Sequence, residues 1–118
     1  MSGCAIANFD MYRGDTKTLV VAVMSSDGSA LDVDTALGIT FGLFEVETLE
    51  VVALMTLGQG ITVTGNLITI VIPHDETERM LGNYTYEIEI VTVTAQTHTI
   101  LQGTATVIAD LITPEVLA

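Results

Sequence analysis

The chain has 118 residues, with 15 acidic side chains against 3 basic ones and a formal net charge of -12, so it repels polyanions and is not expected to bind nucleic acid or enter anionic membranes. Its length fits one domain that hides roughly two-thirds of its unfolded surface. A hydrophobic share of 49% beside a charged share of 15% is more apolar material than one small sandwich needs, which points to burial against another subunit.

The first ten residues hold neither a basic stretch nor a long apolar one, so they do not read as a secretory or lipoprotein signal. Cys4 is the single cysteine, which excludes an internal disulfide, and it falls in an N-terminal segment, 1–8, expected to be mobile. Ala5 to Tyr12 reads as a short, loosely alternating strand anchored by Ile6 and Phe9, and Arg13-Gly14-Asp15 breaks it with a turn. In that turn glycine supplies the bend, Asp15 can bond the following backbone, and Arg13 can pair with a carboxylate on an adjoining strand. The same three residues spell the integrin tripeptide, a short match of low specificity.

Thr16 to Met24 is β-branched and apolar, and it predicts a strand buried on both faces at its centre. Asp27-Gly28 marks a tight reversal, and Leu31 to Leu37 reads as a connecting loop with two acids. Ile39 to Val46 alternates Ile39, Phe41 and Leu43 against Thr40, Gly42 and Phe44, with Gly42 signalling a bulge or a closely packed neighbour. Leu49 to Leu57 could turn as a helix, yet its length and the flanking Gly58-Gln59-Gly60 favour a strand. Two strands around Gly65-Asn66 make a hairpin from Ile61 to Ile72, with Ile68, Ile70 and Ile72 on one face. Pro73 ends that strand, and His74 to Leu81 has the look of one helical turn, acids early and Arg79 late, stopped by Gly82-Asn83.

Tyr84, Tyr86, Ile88 and Ile90 then share one strand face, while Thr85, Glu87 and Glu89 face solvent. Thr97 to Ile108 is the expected partner strand, with Leu101, Ala105 and Val107 opposed to His98, Gln102 and Thr106, and Gly103 permitting a bend. The pattern as a whole predicts an all-β fold, an immunoglobulin-like antiparallel sandwich of about seven strands with one short helical turn near 74–81. The domain is expected over 9–111. A C-terminal arm, 112–118, is apolar and has no strand of its own left to pair with.

Catalytic chemistry finds little support in these residues. Only His74 and His98 could serve as bases, no serine lies in a nucleophile elbow, and no phosphate-binding or zinc-protease motif occurs. Two histidines make at most half of a zinc site. Glu87 and Glu89, like Glu45 and Glu47, share a strand face at roughly 7 Å by strand geometry, a separation that overlaps those of glycoside hydrolysis. Such spacing arises on any solvated strand face, and no tryptophan accompanies it. The acidic groups Asp27, Asp32, Asp34 and Asp75, Glu76, Glu78 lack the spacing and glycine of an EF-hand loop, so solvation is the better reading and calcium the weaker one. No enzyme activity and no cofactor are expected.

The order R-G-D-T-K-T-L-V-V-A-V, D-G-S-A-L-D-V-D-T-A, G-I-T-V-T-G-N-L-I-T-I-V-I-P-H-D-E-T, L-G-N-Y-T-Y-E-I-E-I and L-Q-G-T-A-T-V-I-A-D-L, from about Phe9 to Leu111, resembles small β-sandwich domains of tailed bacteriophages. These are the domains at the N-terminus of upper baseplate proteins and in head-fibre or decoration proteins. The resemblance implies a virion structural part, assembled in the host cytoplasm. It would act as a capsid decoration, head-fibre attachment or adaptor module that binds capsid, neck or tail proteins and associates with itself. Larger relatives continue past the sandwich into receptor-binding parts, and the end at Ala118 favours decoration or adaptor work over direct host binding. The alternatives are an upper-baseplate-type tail component and a glycan- or receptor-binding module. Leu111, Ile112, Pro114, Val116 and Leu117 of the arm, together with exposed strand edges, are the expected assembly contacts.

Overall fold

The computed structural model describes residues 5–24 and 27–109. Among them the chain runs β1 (Ala5–Ile6), β2 (Phe9–Tyr12), β3 (Lys17–Ala22), β4 (Gly38–Glu45), β5 (Val51–Leu57), β6 (Gly60–Thr64), β7 (Leu67–Ile72), α1 (His74–Thr77), β8 (Gly82–Val91) and β9 (Thr97–Ile108). The fold is all-β. Nine strands replace the expected seven or so, partly because Ala7 and Asn8 split the first predicted strand in two. β1 lies within the segment that the sequence sets before the domain. Cys4, the side chain of Ile6 and the arm residues Leu111, Ile112, Pro114, Val116 and Leu117 lie outside what is described.

Hydrogen bonds join the strands into one mixed sheet, ordered β1-β9-β8-β4-β5-β6-β7-β3, which curls toward a barrel. β2 follows β1 along the same edge of β9, and both run parallel to it. β5 and β6 meet only at Thr56–Gly60 and Leu57–Ile61, so the sheet turns a corner there. The long antiparallel pairings are β4 with β8 and β8 with β9, and they form where the period-2 alternation is cleanest. The core lies inside the curl, where Phe41, Leu43, Ile61, Ile68, Ile70, Ile72, Tyr86 and Ile88 are buried. Phe9 and Phe41 both pack on the Tyr86 ring, with centroids 5.0 and 5.8 Å away.

Several local expectations hold. The β6–β7 hairpin turns at Gly65, which alone takes the positive φ (61°) while Asn66 does not. Gly42 sits under the Phe44 ring, where a Cβ would come within 2.7 Å of the ring, and the β4–β5 register slips between Leu43 and Phe44. Gly28 takes φ 88°, and Met24 bridges to Ala30 across the reversal.

Others are corrected. β3 is not buried on both faces: among the described residues it pairs only with β7, and Thr18, Val20 and Ala22 point outward, with Val20 62% exposed. The helical turn is shorter than 74–81, because Glu78 already closes it. His98 does not share a face with Gln102 and Thr106. An extra residue at Ile100, between the pairs Ile88–Leu101 and Glu89–Thr99, shifts the phase and places His98 opposite the buried Ile90. Gly103 marks a crossing rather than a bend, since a Cβ there would lie 1.7 Å from the Ala7 carbonyl oxygen.

Candidate functional site

The Arg13-Gly14-Asp15 turn is locked into the body of the fold. Gly14 takes φ 86°, as only glycine does cheaply, and its N–H donates to Thr77 Oγ1 at 3.1 Å. The Thr77 hydroxyl has the Asp15 carbonyl at 2.7 Å and the His74 carbonyl at 3.2 Å as acceptors. The Asp15 N–H closes the turn onto the Tyr12 carbonyl at 3.1 Å, and the Arg13 N–H donates to the Ile108 carbonyl at 2.9 Å. Asp15 therefore holds the turn through its main chain, not through the side-chain bond that the sequence suggests. Sequence reasoning missed Thr77, although a threonine one turn after Pro73 in an otherwise charged helix was a signal.

The other predicted chemical groups are separate. His74 opens α1 on the surface, and His98 is half-buried in β9. Glu87 and Glu89 share the outer face of β8, half-buried between β4 and β9. Glu45 ends β4 whereas Glu47 lies in the turn that follows, so these two do not share a strand face. The acidic loops hold backbone. Asp27 accepts from the Ser29 N–H and hydroxyl, Asp32 from the Asp34 N–H at 2.8 Å, and Asp34 from the Gly65 N–H at 2.9 Å, tying the β3–β4 loop to the β6–β7 turn. Arg79 pairs with Glu76 on the helical turn. Among the described residues no three of His, Cys, Asp and Glu come together as a metal site would need.

Two clefts are lined by described residues. One, about 220 Å³, lies between the β4–β5 turn and the start of β8, lined by Glu45, Val46, Glu47, Leu81, Asn83 and Tyr84. The other, about 170 Å³, is lined mostly by the β3–β4 loop with Ile90, Thr92 and Val93, and Asp32 is its one titratable group. Neither brings a base to a nucleophile. The phenol with a displaced titration is Tyr86, whose burial holds it above the ordinary tyrosine value, and its hydroxyl donates to the Ala7 carbonyl at 2.7 Å.

The surface is divided by charge. From Val51 to Pro73 the sequence has no Asp, Glu, Lys, Arg or His, and this span supplies β5, β6 and β7. The outward side chains of β7 (Leu67, Thr69, Val71) and of neighbouring β3 (Thr18, Val20, Ala22) are likewise uncharged, and most of them are exposed. Exposed Val51 and Leu54 on β5 continue the apolar character, as do Val46 and Leu49 in the turn before it, where Leu49 takes a positive φ (59°). Among the described residues the acids lie elsewhere, in the loops, on β2, at the end of β4, on β8 and around α1. An uncharged, partly apolar sheet wall thus stands beside acidic loops.

No family model matches this chain, and no curated protein matches it.

Proposed function

We propose that the chain is a structural β-domain of a tailed-bacteriophage particle, a decoration, head-fibre attachment or adaptor module that docks on capsid, neck or tail proteins and on its own neighbours. The observation that carries this reading is the uncharged sheet wall of β3, β7 and β6. Two apolar β-rich surfaces meet well there, and the many acids are kept out of the contact.

We read the sheet as an immunoglobulin-like sandwich, with β3-β7-β6 as one wall and β2-β9-β8-β4-β5 as the other, divided at the two-pair corner between β5 and β6. Tyr84 supports this. It lies near the start of β8, just past the connection from β7, and its hydroxyl bonds the main chain of Leu81 at 3.1 and 3.3 Å, in the manner of the tyrosine corner of such sandwiches.

The test is sedimentation of the purified protein with shells and, separately, tails of the phage that encodes it. Pelleting with one of them at a fixed, saturable ratio is the expected result, and the fraction that carries it separates a head role from a tail role. Failure to pellet with either overturns the reading. Deleting residues 111–118 is expected to leave the domain folded by circular dichroism while lowering particle occupancy.

A further inference from the structure

A strand composed like the interior of a sheet stands at its edge. β3 reads K-T-L-V-V-A, is followed by Val23 and Met24, and pairs through all six residues with β7 on one side. Among the described residues, no strand pairs with its other side. Alternate peptide N–H and C=O groups along that side are therefore open to a partner strand.

The other edges are protected and this one is not. β1 and β2 are short, interrupted at Ala7 and Asn8, and carry Asp10. β5 carries an extra residue at Val52 opposite β4, follows Glu50, and is tied to β6 at its far end. β3 has no irregularity in its register, no proline and no acid, and its single charge, Lys17, sits at its beginning. Regular, apolar, unprotected edges are the ones that add strands.

We propose that β3 pairs antiparallel with β3 of a second copy about a two-fold axis, centred on Val20. Alternation fixes the register. Inner residues must meet inner residues, so the axis passes through a residue and not between two. Centring on Val20 sets it opposite its own copy on the outer face, Leu19 opposite Val21 on the inner face, and Thr18 opposite Ala22.

Like charge confines self-contact to an edge of this kind. A copy carrying -12 is repelled from every acidic surface, and this edge is one that it can approach. Antiparallel pairing keeps the two Lys17 residues roughly 20 Å apart, whereas parallel pairing would stack them. A basic peptide would be drawn to the acidic loops instead. The arm, whose Pro114 lacks a donor and which carries Glu115, suits the edge less well. The pairing deepens the self-association part of the proposed function and rests on it, while particle binding is measured apart from it.

The experiment is analytical ultracentrifugation of the full chain from about 10 μM to 1 mM, the range suited to a small interface. A monomer–dimer equilibrium that tightens with added salt is expected. Val20→Lys should weaken it by about tenfold or more, by losing apolar contact and opposing two like charges. The far-UV circular dichroism should be unchanged, since Val20 is 62% exposed. In a Cys4→Ser background, Val20→Cys should form an intermolecular disulfide on mild oxidation, and Thr18→Cys, roughly 13 Å from its own copy in this register, should not.

A monomer at every concentration, a dimer indifferent to Val20→Lys, or equal cross-linking at both positions overturns the proposal. A dimer lost on deleting residues 111–118 overturns it in favour of the arm as occupant. Particle pelleting by a chain that stays monomeric would remove this pairing and leave the assembly reading standing; a β3 dimer that never pellets would do the reverse.

Discussion

Thr77 is fully buried, and its hydroxyl serves three partners, accepting from the Gly14 N–H and facing the carbonyls of Asp15 and His74. Thr77→Val keeps the shape and removes these bonds, so it should cost about 1–3 kcal/mol in urea unfolding, while Thr77→Ser should recover most of that. Tyr86 gives a prediction in pH. Burial raises its folded-state titration above the unfolded value near 10, so the folded chain holds the proton more tightly. Its contribution is complete below about pH 10 and is lost as pH climbs through the raised value. The stability of the wild type should fall above about pH 10, and Tyr86→Phe should flatten that fall at a cost of about 1 kcal/mol at neutral pH from the lost bond to the Ala7 carbonyl.

Among the elements, the crossing of the β1–β2 link over β9 depends on Gly103. Gly103→Ala would drive a methyl group into the Ala7 carbonyl, also displacing Asn8, whose Oδ1 accepts from the Thr104 N–H at 2.9 Å. A loss of about 3 kcal/mol is expected in thermal or chemical unfolding. In sequence that glycine reads only as a permitted bend, because nothing local names the backbone that passes over it. The β6–β7 hairpin and the inward face of β8 were legible, since alternation and turn residues are short-range signals that the fold keeps. β3 was legible as a strand but not as an edge. Its apolar run suits a doubly paired position, and neighbours are set by long-range topology. The turn of His98 toward Ile90 escaped for a different reason: one bulged residue, Ile100, reverses the phase without any glycine or proline to announce it. Of the candidate site, the Arg13-Gly14-Asp15 turn was legible from its glycine, and its lock on Thr77 was not, with 63 residues separating Gly14 from its acceptor.

At the scale of the whole molecule, 15 acids against 3 bases leave a repulsive field that opposes compactness. Raising the salt from about 10 mM to 500 mM shortens the Debye length from roughly 30 Å to a few ångströms. The melting temperature should therefore rise with sodium chloride, measured by differential scanning fluorimetry, and a fall would contradict the charge-limited picture. The parallel seating of β1 and β2 on β9 also sets an order in time. These strands are made early, and their partner, Leu101 to Ile108, is made late. During synthesis the early strands must wait, unpaired, while β3 to β8 can already close onto one another. The sheet is then finished by a single late event in which β9 enters between β8 and the waiting strands, a slow step of large sequence separation that makes the nascent chain a natural client for chaperones.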